Sequence, residues 1–297
     1  MDCTATMRAR SSTALPMKEE QKRVEAHFQE TAAYWKEIYR GGDVSATIYQ
    51  QRRDAVMSLV DRLGLAAKSQ VLEVGCGAGV TSVALARRGY HVQAVDSVTA
   101  MIDLTRQTVS DAGVEERVVP SVCDVNSLTF ADDAFDLVLA IGVIPWVQSP
   151  EQVLQQMTRV IRPGGYLIVS SENLWQLHHV LDPLLNPLLV QLRPRVGDWL
   201  RRIGLRQPLA SPRHHACSNQ EFDQQLASLK MEKIESLTLG FGPFTLFFQH
   251  VLPEPLGVKL HRALQRLADR QVPVLRSGGC NYIVLARKQA RDAKRAA

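Results

Sequence analysis

Two carboxylates, three glycines and a pair of histidines carry most of the chemistry this chain can offer. Glu73 is followed at alternate positions by Gly75, Gly77 and Gly79, with Cys76 between the first two. Glycine has no Cβ, so such a turn can take positive φ and let a ligand lie directly against the backbone. An apolar run, Val71-Leu-Glu-Val74, leads into the turn, and Val83, Ala84, Leu85 and Ala86 follow it within Thr81 to Arg88. That order reads as a buried strand turning sharply into a helix whose first amides face the turn. It predicts a nucleoside-binding crevice. Asp96 ends a second apolar run seventeen positions after Gly79, where its two oxygens can accept from two adjacent hydroxyls. His178 and His179 supply the imidazole that a hydroxyl acceptor needs in order to lose a proton.

The glycine spacing separates two ligand classes. A dinucleotide turn has the form G-x-G-x-x-G, whose third glycine would fall here on Val80. The chain has E-x-G-x-G-x-G instead, which resembles motif I of the class I S-adenosylmethionine-dependent methyltransferases. The resemblance continues in order through strands at His91 to Asp96, Val118 to Val122 and Phe135 to Ala140, then Arg162-Pro-Gly-Gly165 before a fifth strand at Tyr166 to Ser170. It covers residues 68 to 171 well and the remainder in general plan only. It implies S-adenosyl-L-methionine as cofactor, with Glu73 at its methionyl end, directly or through water. It further implies Asp96 at the ribose and Asp124 accepting from the adenine amino group, with Ser97, Val125 and Ile141 also at the cofactor. Taken singly, Asp96 or Asp124 reads equally well as a helix cap or turn residue. The implied fold is α/β: a doubly wound, mostly parallel, seven-stranded Rossmann-like sheet with N-terminal helices and a helical cap inserted after strand five.

Elements on either side must close the crevice. Residues 17 to 39 place Val24, Phe28, Trp35 and Ile38 at helical spacing and stop at Gly41-Gly42, and a second helix is expected from Thr47 to Leu63. Tyr39 and Tyr49 flank the break, where their rings can cover a sulfonium cation or simply pack the helices onto the sheet. The cap is expected over 172–216. From Pro194 a helix would gather Leu192, Val196, Trp199, Leu200 and Ile203 on one face with arginines elsewhere, as the wall of an apolar pocket or as a membrane-surface helix. The apolar stretch from Gly240 to His250 reads as another part of that wall, and Cys280 to Ala286 as the last strand. Residues 17–287 thus read as one domain, with 1–16 and 288–297 as solvated tails.

Composition narrows the partners. The net charge of +5 lies entirely at the two ends, residues 1–16 and 287–297, because 28 basic residues face 28 acidic ones between them. A neutral body lacks a stripe that tracks phosphates, which disfavours nucleic acid as substrate. The five cysteines, at 3, 76, 123, 217 and 280, form no C-x-x-C pair and no metal spacing. They read as reduced thiols of a cytoplasmic protein, with reversible contact to the inner face of a membrane as a corollary of the arginine-bearing cap. The expected function is methyl transfer to a small, apolar or lipid-like acceptor, most simply at oxygen. A nitrogen or carbon acceptor, or a nucleoside-binding interaction protein of the same fold without catalysis, stays open.

Overall fold

Strands covered on both faces need apolar residues at successive positions, and the middle of the sheet has them. β1 (Gln70–Val74), β2 (His91–Asp96), β3 (Val118–Val122), β4 (Phe135–Ala140) and β5 (Ile161–Asn173) pair in parallel in the order β3-β2-β1-β4-β5. The two-residue β6 (Ala216–Cys217) pairs with β5 off this path. β7 (Met231–Leu239) and β10 (Asn281–Lys288) complete it, β10 lying antiparallel between β5 and β7. β8 (Thr245–Leu246) and β9 (Gln249–His250) form a separate hairpin. The computed structural model describes residues 17–192, 215–247 and 249–290, with positions 195, 202 and 204 between them.

Alternation along each strand feeds two cores. Val71, Leu137 and Ile283 pack with α2 (Val44–Arg62), α3 (Val80–Ala86) and α4 (Thr99–Asp111) through Val56, Leu59, Val83, Leu85 and Ile102. Leu72, Val138 and Val284 point the other way, against Val153, Leu154 and Met157 of α5 (Pro150–Val160) and Phe222 and Leu226 of α7 (Asn219–Ser228). The chain leaves β1 for α3 on one face and β4 for α5 on the other. The sheet therefore opens between the carboxyl ends of β1 and β4, the switch point at which doubly wound folds hold ligands.

The remaining helices close over that opening. α1 (Met17–Glu37) packs on α4 through a cluster of Ala32, Val98 and Met101 joined by Phe28 and Trp35. α6 (Leu177–Leu181) follows β5, and α8 (Glu254–Asp269) lies against α2. Among the described residues, no helix is long and apolar enough to cross a membrane.

Several boundaries differ from expectation for local reasons. α2 begins at Val44 rather than Thr47, because the Asp43 side chain caps it by accepting from the Ala46 amide at 2.7 Å. β10 reaches Lys288, whose Nζ donates to Asp133 Oδ1 at 2.9 Å, so this residue belongs to the sheet and not to the tail. The helix expected from Pro194, apart from positions 195, 202 and 204, falls outside the described residues, as do 1–16 and 291–297 of the expected tails.

Candidate active site

The turn after β1 is built from backbone, and its three glycines serve three different needs. At Gly75, φ +67, an added Cβ would lie 2.4 Å from Val143 Cγ2, so the residue allows the loop after β4 to close against the turn. At Gly79, φ +77, it would lie 2.9 Å from Thr105 Cγ2 on α4, so this glycine serves helix packing. At Gly77, φ +54, it would meet nothing within 4 Å and would project into open space. Gly77 is thus the position where the bare backbone is offered to a ligand. The turn is held from behind: the amides of Gly75 and Cys76 donate to Val95 O at 2.8 and 3.0 Å, and Thr105 Oγ1 donates to Gly77 O at 2.7 Å.

Two carboxylates meet at this turn. Asp96, at the end of β2, accepts from the Gly77 amide with one oxygen and from the Val98 amide with the other, both at 3.0 Å. Burial raises its pKa, opposed by those amides. Glu73, the acid in β1, is fully buried against the start of α3, where Ser82 Oγ donates to it. Burial pushes its carboxyl up to about 8, although the Ser82 hydrogen bond pulls it down. Asp96 thus has its oxygens held by amides, while Glu73 keeps its proton until a nearby cation favours the charged form.

Glu73, Gly75, Cys76, Gly77, Asp96, Ser97, Val125 and Ile141 line a single cavity of about 640 Å³. Gly79 does not line it, for the packing reason above. Nor does Asp124, whose Oδ1 accepts from the backbone amide and side-chain amide of Asn126 at 2.9 and 2.8 Å. Of the two sequence readings of this acid, the turn-forming one describes its geometry, and Val125 presents to the cavity instead.

Tyr39 and Tyr49 reach the same cavity from the break between α1 and α2, 6.2 Å apart and edge to face, with Trp35 5.5 Å from Tyr49. Covering and packing coincide here, since the rings that seat the helices also form the roof. Burial pushes the Tyr49 phenol up to about 12, so it stays protonated across the ordinary pH range.

The far wall comes from the end of β5, α6, the stretch after β7, and β10. His178 and His179 both line it, 5.3 Å apart. His178 Nε2 shares a hydrogen bond of 2.8 Å with Thr245 Oγ1, and burial lowers its pKa. His179 lies within 3.2 Å of Gln176 Nε2. Gly242, Pro243 and Thr245 join the wall, as expected for the Gly240 to His250 stretch. Arg52, Gln176 and Asn281 were not anticipated. Of these, Arg52 had a readable signal: it sits one turn from Ile48 and one turn from Val56 on the buried face of α2, where a charge is out of place. Among the described residues, no group of three His, Cys, Asp or Glu side chains is placed to hold a metal ion.

Comparison with known proteins agrees with this geometry. Residues 72–169 match the family described as a methyltransferase domain. The methyltransferase GfsG of Streptomyces halstedii is 36% identical over 114 residues, 38% of this chain and 41% of that protein. A ubiquinone biosynthesis O-methyltransferase of Xylella fastidiosa is 28% identical over 151 residues, 46% of this chain and 61% of the relative. The chain thus spans about half the length of the curated relatives it matches. The solved structure of magnesium protoporphyrin IX methyltransferase from Synechocystis PCC 6803, with bound SAH, superposes with a TM-score of 0.61 at 16% identity, covering 91% of this chain and 100% of that one. At that identity the likeness concerns the fold.

Proposed function

Because the centre of this chain is a class I S-adenosylmethionine-dependent methyltransferase domain in the Rossmann-like fold, we propose that the protein transfers a methyl group from S-adenosyl-L-methionine to an apolar or amphiphilic small molecule, at oxygen. The observation that carries the reading is the joining of two unlike walls in one cavity. One is a backbone turn open at Gly77 between two buried carboxylates; the other holds a half-buried histidine.

The residues fit the cofactor. Asp96 provides a buried carboxylate, Glu73 a buried carboxyl that a nearby cation would draw into its charged form, and the Trp35, Tyr39 and Tyr49 rings offer π faces, so the wall suits a cationic sulfonium nucleoside. Bound there, the cofactor supplies an activated methyl group on a good leaving group. The protein's share is alignment and exclusion of water, which in displacement reactions accounts for most of the rate. α1 and α2 lay their aromatic rings over the opening and perform the second task.

His178 supports an oxygen acceptor. Its lowered pKa leaves the imidazole neutral near neutrality, as a base must be. If Nε2–H donates to Thr245 Oγ1, the tautomer is fixed with Nδ1 unprotonated and able to take the acceptor's proton. Thr245 is then a positioning residue. The apolar character of Val56, Val143, Pro243 and Leu185 around the same space supports an apolar acceptor body.

The direct test has two steps. Calorimetry with S-adenosylhomocysteine is expected to show one site per chain; tight NADH binding with no response to S-adenosylhomocysteine would end the family reading. Incubation with methyl-labelled cofactor and fractionated metabolite and lipid extracts is then expected to label an apolar fraction. Cofactor binding without any labelled product would identify a nucleoside-binding protein that has lost catalysis.

A further inference from the structure

α8 is turned inside out. Its buried face carries Gly257, His261, Gln265 and Ala268, and it is attached to the body by polar groups. His261 is hydrogen-bonded through Nε2 to Gln51 Oε1 at 2.8 Å and through Nδ1 to the Phe241 backbone, while Gln265 accepts from the Gly240 amide at 3.0 Å and donates to Thr238 O at 3.2 Å. The leucines stand on the outer face. Leu256, Leu260 and Leu267 are 51%, 37% and 38% exposed, and their spacing of four and then seven residues keeps them in one stripe. Val251 just before the helix and Val274 just after it are exposed as well. An ordinary surface helix has the reverse arrangement, apolar residues inward and polar ones outward. Exposed apolar residues gathered in this way mark an interaction surface.

The charges beside the stripe select what covers it. Lys259, Arg266 and Arg270, all exposed, follow one another at seven and then four residues, so they form a row along one flank of the leucines. Among the described residues none of the three has an acid within 4 Å. The two acids of the helix are engaged on the protein side: Glu254 accepts from the Val44 amide at 3.1 Å and Asp269 from the Gln265 side chain at 2.9 Å. A second copy paired antiparallel through the stripe would set the basic flank against itself, so charge opposes self-association. An anionic bilayer offers both things the helix lacks, an apolar layer for the leucines and phosphates for the cations.

We propose that α8 is an interfacial helix that seats the protein on anionic membranes, with Leu256, Leu260 and Leu267 at the acyl boundary and Lys259, Arg266 and Arg270 among the lipid phosphates. This assigns the membrane contact to α8 rather than to the arginine-bearing cap. The helix starts beside the acceptor wall, since Glu254 and Gly257 line a smaller recess together with Pro243, which also lines the cavity. An enzyme seated in this way takes an apolar acceptor from the lipid phase. That last step rests on the methyltransferase reading; the surface itself does not.

The test is flotation of the full chain, without cofactor, on vesicles of phosphatidylcholine alone and of phosphatidylcholine with equimolar phosphatidylglycerol. Binding is expected to the anionic vesicles only, and is expected to weaken as salt rises. Lys259→Gln, Arg266→Gln and Arg270→Gln together are expected to weaken it by about ten- to a hundred-fold, the scale for removing three cations from an anionic surface. Leu256→Ser, Leu260→Ser and Leu267→Ser together are expected to abolish it, with S-adenosylhomocysteine affinity unchanged in both variants. Flotation with neither vesicle, equal flotation with both, or flotation that survives the serine substitutions overturns the proposal. So does a dimer in analytical ultracentrifugation that the serine substitutions dissociate, because a second copy would then cover the stripe. If the serine variant does not fold, the glutamine variant decides. An unmodified chain that floats but does not bind S-adenosylhomocysteine would instead remove the methyltransferase reading and leave the surface standing.

Discussion

On the glycine-turn side of the cavity, backbone amides do most of the shaping, whereas on the opposite side four separate stretches contribute side chains. Gly75, Gly77 and Asp96 are fixed by one another and by Val95 and Thr105, all within residues 75 to 105. Arg52, His178, Thr245 and Asn281 meet only because α2, α6, the segment after β7 and β10 converge at one sheet edge. A wall of backbone can bind a constant ligand and tolerates little change in sequence. A wall of side chains can be rewritten residue by residue, so it is the natural place for substrate choice.

Substitutions on the two sides are therefore expected to separate in their readouts. The largest effect is expected at His178: in a turnover assay with a hydroxyl acceptor, His178→Ala should lower kcat by about 10²- to 10⁴-fold and leave S-adenosylhomocysteine affinity intact. Thr245→Val should follow in the same direction by a smaller factor, because it frees the tautomer. The acid limb of the pH–kcat profile should lie below the ordinary histidine value of 6.5, since burial favours the neutral ring. If His179→Ala costs as much as His178→Ala, the pair acts jointly and the assignment to one ring fails.

Across the cavity the converse is expected. Asp96→Ala should weaken S-adenosylhomocysteine by about 1.5 to 3 kcal/mol in calorimetry. Part of that loss would come from releasing the Gly77 amide, which Asp96→Asn would partly restore. Unchanged affinity in a folded Asp96→Ala protein would remove this acid from the site.

A subtler effect concerns Glu73. Its carboxyl titrates near 8 in the folded chain against 4.5 for the free group, so the folded state holds the extra proton between those values. Stability from this group is complete below about 4.5 and is lost as pH rises through about 8. A cationic ligand favours the charged carboxylate, so S-adenosylmethionine affinity should increase with pH up to about 8, and Glu73→Gln should flatten both trends. Equal pH dependence in the glutamine variant would place the titrating group elsewhere.

The smallest expected effect is weak, salt-sensitive flotation with anionic liposomes, tested most directly on the full chain at low ionic strength. Its absence would remove membrane contact without touching the acceptor site.

The same contrast explains what was legible in the sequence. The turn, Asp96 and the central strands could be read because their determinants are contiguous: period-two or unbroken apolar runs, and glycines whose positive φ no other residue takes cheaply. Asp124 shows the limit of that reading. Its type and position suit the adenine amino group, but an Asp two residues before an Asn amide can equally close its own turn, and here it does. α7 had its signal in the Ser218-x-x-Glu221 capping box and went unassigned. The Thr245–His178 and Asn281–Arg52 pairings had none, because they join residues 67 and 229 positions apart.

That long separation has a consequence for how the protein is made and unmade. The Gly77–Asp96 hydrogen bond closes a span of 19 residues, so the nucleotide side can assemble early from a local unit of strand, turn and strand. The Arg52–Asn281 contact must wait for β10, almost the last segment described, to insert between β5 and β7. Loop-closure entropy then makes the substrate wall the last part of the cavity to form and the first to open. In hydrogen exchange, the β10 amides should report on the substrate wall, and they should exchange sooner than those of β1.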